Sequence, residues 1–390
     1  MSHAPRIPMI PLAHLTSRAR RPVRGVTLIE LMVGMVIGLL AVLVIAQVAL
    51  LFEGQKRSTT GGSDAQVNGA LSLQMLQRDL QMAGYGIATG SGAGCELRGN
   101  RDGVTPPWHG QPMVPVRIVQ GTDATRGSPD TIFVMLSGRP GTSFHALPVA
   151  LSRVHRKNDV SLGVVSTVNL GAETAQAGDL LALIPTNTAT SWCSVVEVTT
   201  TPAALADTIE HAESGAWNQD ATANIRPGVS FTDVGYAVGD QFVNLGSMIY
   251  REYALGADTA AGGGTALTLR STDAANAAWS AADVLFPQIV NLQAVYGLDT
   301  SATADDVVDT WTTTAPTTPD GWGRAIAVRV AVVARSGQYE KTEVTANQPT
   351  WRPDGSTAET LPVDHLSDWR HYRYKVFEVV VPLRNLLWQS

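Results

Sequence analysis

The feature that most constrains this chain is the run of residues 31–52, which contains no Lys, Arg, Asp or Glu. As a helix rising about 1.5 Å per residue it spans about 33 Å, a length that matches a bilayer hydrocarbon core of about 30 Å. The run therefore predicts a membrane-spanning helix. One acid, Glu30, stands at its leading edge, where an unpaired carboxylate carried to full depth costs about 2.5–3.5 kcal/mol. That acid needs a partner or a polar surrounding.

Residues 1–25 have a different character. Pro5, Pro8, Pro11 and Pro22 exclude a helix there, and the charges Arg6, Arg18, Arg20, Arg21 and Arg24 include no acid. Basic residues on this flank hold the N-terminus in the cytoplasm, so the chain after the run is exported. A secretory signal peptide has an apolar region of about 7–15 residues ending in a small-residue cleavage site. The run is longer, and Ala46-Gln47-Val48-Ala49 does not supply that site. Without residues 1–25 the formal charge falls from −6 to −11. An acidic body argues against a general affinity for nucleic acid.

Gly25 followed by Val26-Thr27-Leu28-Ile29-Glu30 and the apolar run resembles the class III leader of type IV prepilins and pseudopilins. The resemblance implies cleavage by a prepilin peptidase between Gly25 and Val26, N-methylation of Val26 and retention of Glu30 as the acid five residues into the processed chain. The family usually has Phe at the first processed position, and Val26 departs from that. A freed amine at Val26 is a cation, and Glu30 one helical turn on can face the equivalent amine of a neighbouring subunit. Such pairing relieves two buried charges and sets the register between helices; the alternative is a Glu30 solvated among lipid head groups. Gly34 and Gly38 form a G-x-x-x-G spacing that allows close helix packing.

Beyond Phe52 the chain turns polar, and Gly61-Gly62 offers a break or a melted turn in what is otherwise one long helix. Helical spacing resumes over 64–83, with Val67, Leu71 and Met75, then Leu76, Leu80 and Ala83, on i, i+3 and i, i+4 rows, and stops at Gly84-Tyr85-Gly86. The segment Leu76-Gln77-Arg78-Asp79-Leu80-Gln81-Met82-Ala83-Gly84-Tyr85 resembles the one that follows the helix in minor pilins of the PilW type. Runs of β type follow at 113–119, 131–136, 160–168, 180–184, 194–201, 242–253, 265–270, 289–297, 325–334 and 374–383. The blocks at 289–297, 328–335 and 376–385 also resemble PilW-type strands. Residues 262–264 and 310–323 read as surface loops. The expected fold is α+β and pilin-like: a long N-terminal α-helix, transmembrane in its first half and amphipathic in its second, packed on an extended antiparallel β-rich body. The expected layout is a leader at 1–25, a helix at 26–85 (assembly part 26–52, amphipathic part 64–83) and a body at 86–390, either one elaborated sheet or a core with an inserted β subdomain.

The patterns that carry chemistry are missing. There is no phosphate-binding glycine loop, nucleophile elbow or zinc-protease signature, so no catalytic residue, no metal and no cofactor is expected. Asp364, His365 and Asp368 read as a solvated loop, and Asp299, Asp305, Asp306 and Asp309 lack the order of a calcium-binding loop. Cys95 and Cys193 belong to no metal pattern. In an exported body they pair, closing a loop of about a hundred residues that contributes up to about 4.7 kcal/mol; otherwise they are two separately buried thiols. Trp311, Trp322 and Trp351 are candidates for an exposed contact surface. The resemblance implies a minor pilin, held in the inner membrane with its body in the periplasm until it joins an extracellular filament. Its implied partners are the prepilin peptidase, other minor and major pilins and the pilus assembly platform. The alternatives are a minor pseudopilin of a type II secretion system and a tip adhesin.

Overall fold

The computed structural model describes residues 25–387 except 88–91, 123–126, 139–147, 157, 166–174, 187–191, 204, 219–234, 259–263 and 274. The leader therefore lies outside the described residues apart from Gly25, as do 166–168 of the run at 160–168 and most of the loop at 262–264. The chain forms two compact units, Met1–Arg57 and Ser58–Ser390. Helix α1 (Leu28–Met82) begins in the first and ends in the second.

Gly61-Gly62 does not break α1. Glycine in a helix costs about 1 kcal/mol relative to Ala, and within the second unit close packing offsets that cost. Gly61 is buried, a Cβ placed on it would meet Ser336 at 3.5 Å, and Ala65 and Gly69 are buried on the same face.

In chain order the strands are β1 (Glu96–Arg98), β2 (Gln111–Pro112), β3 (Val116–Val119), β4 (Thr131–Leu136), β5 (Val149–Ala150), β6 (Ser161–Gly163) and β7 (Leu180–Ile184). They continue with β8 (Cys193–Glu197), β9 (Thr208–Glu210), β10 (Gln241–Gly246), β11 (Ile249–Ala257), β12 (Thr265–Thr272) and β13 (Asp283–Pro287). The last are β14 (Ile289–Leu298), β15 (Thr310–Thr312), β16 (Ala325–Arg335), β17 (Thr350–Trp351), β18 (Glu359–Thr360) and β19 (Tyr374–Pro382). Helix α2 (Pro319–Gly323) precedes β16 and α3 (Arg384–Leu387) follows β19.

These strands build three larger sheets, ordered β2-β1-β8-β7-β10-β5, β13-β12-β11-β4-β3 and β15-β14-β16-β19, plus the pairs β17-β18 and β6-β9. All pairings are antiparallel except β1 with β8. The fold is α+β, a long N-terminal helix followed by a mostly antiparallel β body. The run at 242–253 divides at Gly246, whose φ of 56°, followed by Met248 at 29°, turns the chain from β10 in one sheet to β11 in another. The 310–323 segment is also more ordered than a loop. It holds β15 and α2, which starts at Pro319 behind an N-cap Thr318 whose Oγ1 accepts from Gly321 N at 3.1 Å.

The four-stranded sheet is covered on both faces. Leu76, Leu80 and Ala83 of α1 share a core with Leu292, Ala294, Val328, Val330 and Val332, while Val295, Ala331 and Val333 pack with Trp351, Leu361 and Val363 on the other side. The alternation along β16 is the period-two pattern of a strand with two buried faces. The six-stranded sheet packs in two further cores, one of which it shares with Met135 and Tyr250 of the five-stranded sheet and which contains the Cys95–Cys193 disulfide, with a Cα–Cα distance of 5.8 Å.

Candidate functional site

In the first unit, the side chains from Val26 to Leu50 are all exposed, and the 23 residues Leu28–Leu50 have a mean hydropathy of 2.8. So much uncovered apolar surface in one helix has no counterpart in an ordinary water-facing helix. Gly25, Val26 and Thr27 precede the helix outside any regular element. A Cβ at Gly34 or Gly38 meets nothing within 4 Å, so that stripe is open.

The head of the helix is organised by Thr27 and Glu30. Glu30 Oε2 accepts from Thr27 N and from Thr27 Oγ1, each at 3.3 Å, and Glu30 N donates to Thr27 Oγ1 at 3.3 Å. Leu31 N closes the first helical turn on Thr27 O at 3.1 Å. This is a capping box, in which Thr and Glu three residues apart satisfy each other's backbone N–H groups. It also places the carboxylate at the positive end of the helix dipole. The pattern T-x-x-E is legible in the sequence, but the pairing of Thr27 with Glu30 is visible only in the structure.

In the second unit, Asp79 fastens α1 to the body. Its carboxylate is buried and accepts from Arg251 Nη1 at 2.5 Å and from the Tyr253 hydroxyl. Burial and the neighbouring Asp79 charge hold the Tyr253 hydroxyl far above its usual pKa, so it stays protonated as a donor. Further toward the helix N-terminus, Gly69 lies against Phe377 so closely that a Cβ would stand 2.2 Å from its ring. A lone glycine inside a helical pattern is the only sequence signal for that approach. Nothing in the sequence pairs Asp79 with Arg251, 172 residues away.

The remaining candidates are placed as follows. Trp322 and Trp351 are buried, Trp322 edge-on to Tyr296 at 5.7 Å, and Trp311 is half-buried beneath Arg329. The three tryptophans therefore serve the core and form no exposed contact surface. Asp299 is spent on its own loop: its oxygens accept from the backbone N–H of Ser301, Asp305 and Asp306. Burial pushes its pKa up, but those three donors and Arg324 outweigh it and hold the carboxylate below its ordinary range. Among the described residues no group of three or more His, Cys, Asp or Glu is arranged to hold a metal ion.

An uncovered apolar N-terminal helix followed by a mostly antiparallel body defines a pilin-like subunit. The prokaryotic N-terminal methylation motif matches residues 20–46, and the family of type IV pilus-assembly protein W matches residues 252–385. Together the two matches support a pilin of the PilW type, over the head of α1 and the C-terminal third of the chain. No curated protein and no solved structure matches it. The family segment covers β12 to β19 with most of β11, so it includes the four-stranded sheet under α1 but not the six-stranded one.

Proposed function

We propose that this chain is a minor pilin, a non-catalytic structural subunit that helps to initiate or assemble type IV pili. A prepilin peptidase cuts between Gly25 and Val26, Val26 is N-methylated, and the helix over 26–52 anchors the subunit in the inner membrane with the body in the periplasm. Other pilins and the assembly platform then draw that helix from lipid into a bundle of like helices. Both surroundings are apolar, so little hydrophobic free energy is lost on transfer. Glu30 exchanges its Thr27 contacts for the amine of a neighbouring subunit, and the open stripe at Gly34 and Gly38 lets that helix approach.

The observation that carries this reading is the uncovered helix Leu28–Leu50 with the Thr27–Glu30 box at its head. The PilW segment favours a pilus over a secretion pseudopilus, and the burial of Trp322 and Trp351 weakens the adhesin alternative. The test is the mass of the N-terminal peptide of the membrane-extracted protein together with pilus assembly by Glu30→Ala. A start at methylated Val26 and loss of incorporation in the variant are expected. An intact Met1, or normal incorporation of Glu30→Ala, sinks the proposal.

A further inference from the structure

Strand β19 is an edge of the four-stranded sheet, and among the described residues its one partner is β16. The phase of the ladder follows from its two ends. Ser336 N donates to Arg373 O and Leu383 N donates to Ile326 O, both at 2.8 Å, and the register pairs Arg335 with Tyr374 and Ala327 with Pro382 without a shift. In an antiparallel ladder alternate residues bond inward, so the odd-numbered positions from 373 to 383 face β16. Tyr374, Val376, Glu378 and Val380 point their N–H and C=O outward, and Pro382 occupies the next outward position, where a missing N–H costs no ladder bond. Among the described residues no backbone hydrogen bond reaches this row.

The edge is long, unbulged and rich in valine, and proteins normally blunt such an edge with charges, bulges or a cover. Here α1 passes above it. Gln66 accepts from Lys375 Nζ at 3.2 Å, Gly69 rests on Phe377, and Asn385 Nδ2 donates to Ala83 O at 2.9 Å, so helix and strand run side by side. Gln66, Ala70 and Gln74, at helical spacings of four, are all exposed on this flank. An open groove of about 550 Å³ between α1 and Arg373 lies where β19 begins. With Lys375 held by Gln66, Glu378 is the one charged side chain in the outward row, set between Val376 and the exposed Val380.

We propose that the outer edge of β19 docks an extended segment of a different polypeptide, which joins the sheet as a fifth strand and sets a Lys or Arg opposite Glu378 between apolar residues opposite Val376 and Val380. Main-chain bonds supply affinity in such additions and the alternate side chains supply selectivity. Opposite charges directly across a strand pair are favourable and like charges are not. A second copy of this chain is disfavoured for that reason: twofold pairing centred on the row sets Glu378 against Glu378.

The test uses the full chain in detergent and the labelled peptide acetyl-Thr-Val-Thr-Lys-Thr-Val-Thr-amide, followed by fluorescence anisotropy. Saturable binding is expected, weaker by about tenfold or more when the central Lys is Glu, with the preference inverted by Glu378→Lys. Val380→Pro removes only an outward N–H, so binding should fall by about tenfold while the unfolding midpoint stays within roughly 2 °C. Should Val380→Pro disturb folding, a peptide N-methylated on the amides that face the edge must lose binding to the unaltered chain. Absence of saturable binding, or binding indifferent to Glu378→Lys and to peptide N-methylation, overturns the proposal.

Discussion

Replacing Asp79 with Ala removes the carboxylate that holds both Arg251 and the Tyr253 hydroxyl against α1. The Asp79 side chain is 7 % exposed and that of Arg251 27 %, so the guanidinium left behind is only partly rehydrated. Breaking one side of a buried ion pair costs about 3–5 kcal/mol, because the surviving charge has lost its partner. For a unit of roughly 330 residues, an unfolding entropy of about 2.1 cal/mol/K per residue makes 4 kcal/mol equivalent to a fall of about 6 °C in midpoint. The assay is urea and thermal unfolding of the full chain in detergent, read by tryptophan fluorescence. A double-mutant cycle with Arg251→Ala separates the pair from the rest of the site. The double variant should be less destabilised than the sum of the singles by about 1–3 kcal/mol, since each single strands a charge that the double does not. Tyr253→Phe, which keeps the ion pair and deletes one charge-assisted hydrogen bond, should cost about 1.5–3 kcal/mol. A loss under about 1 kcal/mol for Asp79→Ala, or strict additivity in the cycle, would refute the assignment of Asp79 as the fastening point of the helix.

Gly69→Ala drives a methyl into the Phe377 ring and should destabilise the body by about 1–3 kcal/mol, with partial rescue by Phe377→Leu, checked by the same unfolding midpoints. Reducing the Cys95–Cys193 bond opens a loop of sequence separation 98 and should lower stability by about 2–5 kcal/mol, seen as a shift of the urea midpoint with dithiothreitol and absent in Cys95→Ser/Cys193→Ser. His155 and His211 are both buried with their Nε2 atoms 2.8 Å apart, a contact that needs one ring nitrogen to accept. Burial lowers the His155 pKa to about 4, against the raising effect of Asp159 and with a smaller lowering from Arg153. Because the folded value lies below the unfolded 6.5, the contribution is complete above pH 6.5 and is lost as pH falls toward about 4; the difference corresponds to about 3 kcal/mol. Urea midpoints measured from pH 7.5 to 4.5 should fall accordingly, and His155→Gln should flatten that dependence.

Much of the helix was legible in the sequence because its signals are local. An uncharged run of 22 residues, an acid at its head and a basic flank before it need no tertiary partner to be read. Strands such as Thr131–Leu136 and Leu180–Ile184 are legible for the same reason, since their apolar runs are bounded by turn residues. The short strands β9, β17 and β18 were not, because two or three residues carry no measurable period and owe their pairing to the surfaces beneath them. The tryptophans were misjudged on the same account: Trp322 and Trp351 sit among loop-forming residues, and only packing against Tyr296 or Val333 made them core.

The sequence by itself determined an apolar helix that carries the N-terminal methylation motif and a β-rich body after it, because hydrophobic period and turn chemistry act over a few residues. Tertiary structure decided what lies far apart in the chain but close in space. It joined Asp79 to Arg251 and Cys95 to Cys193, kept α1 unbroken through Gly61-Gly62, and placed β19 at the edge of its sheet beside that helix. Those outcomes depend on which surfaces meet when the sheets close, and that is a property of the packed chain rather than of any one stretch of it.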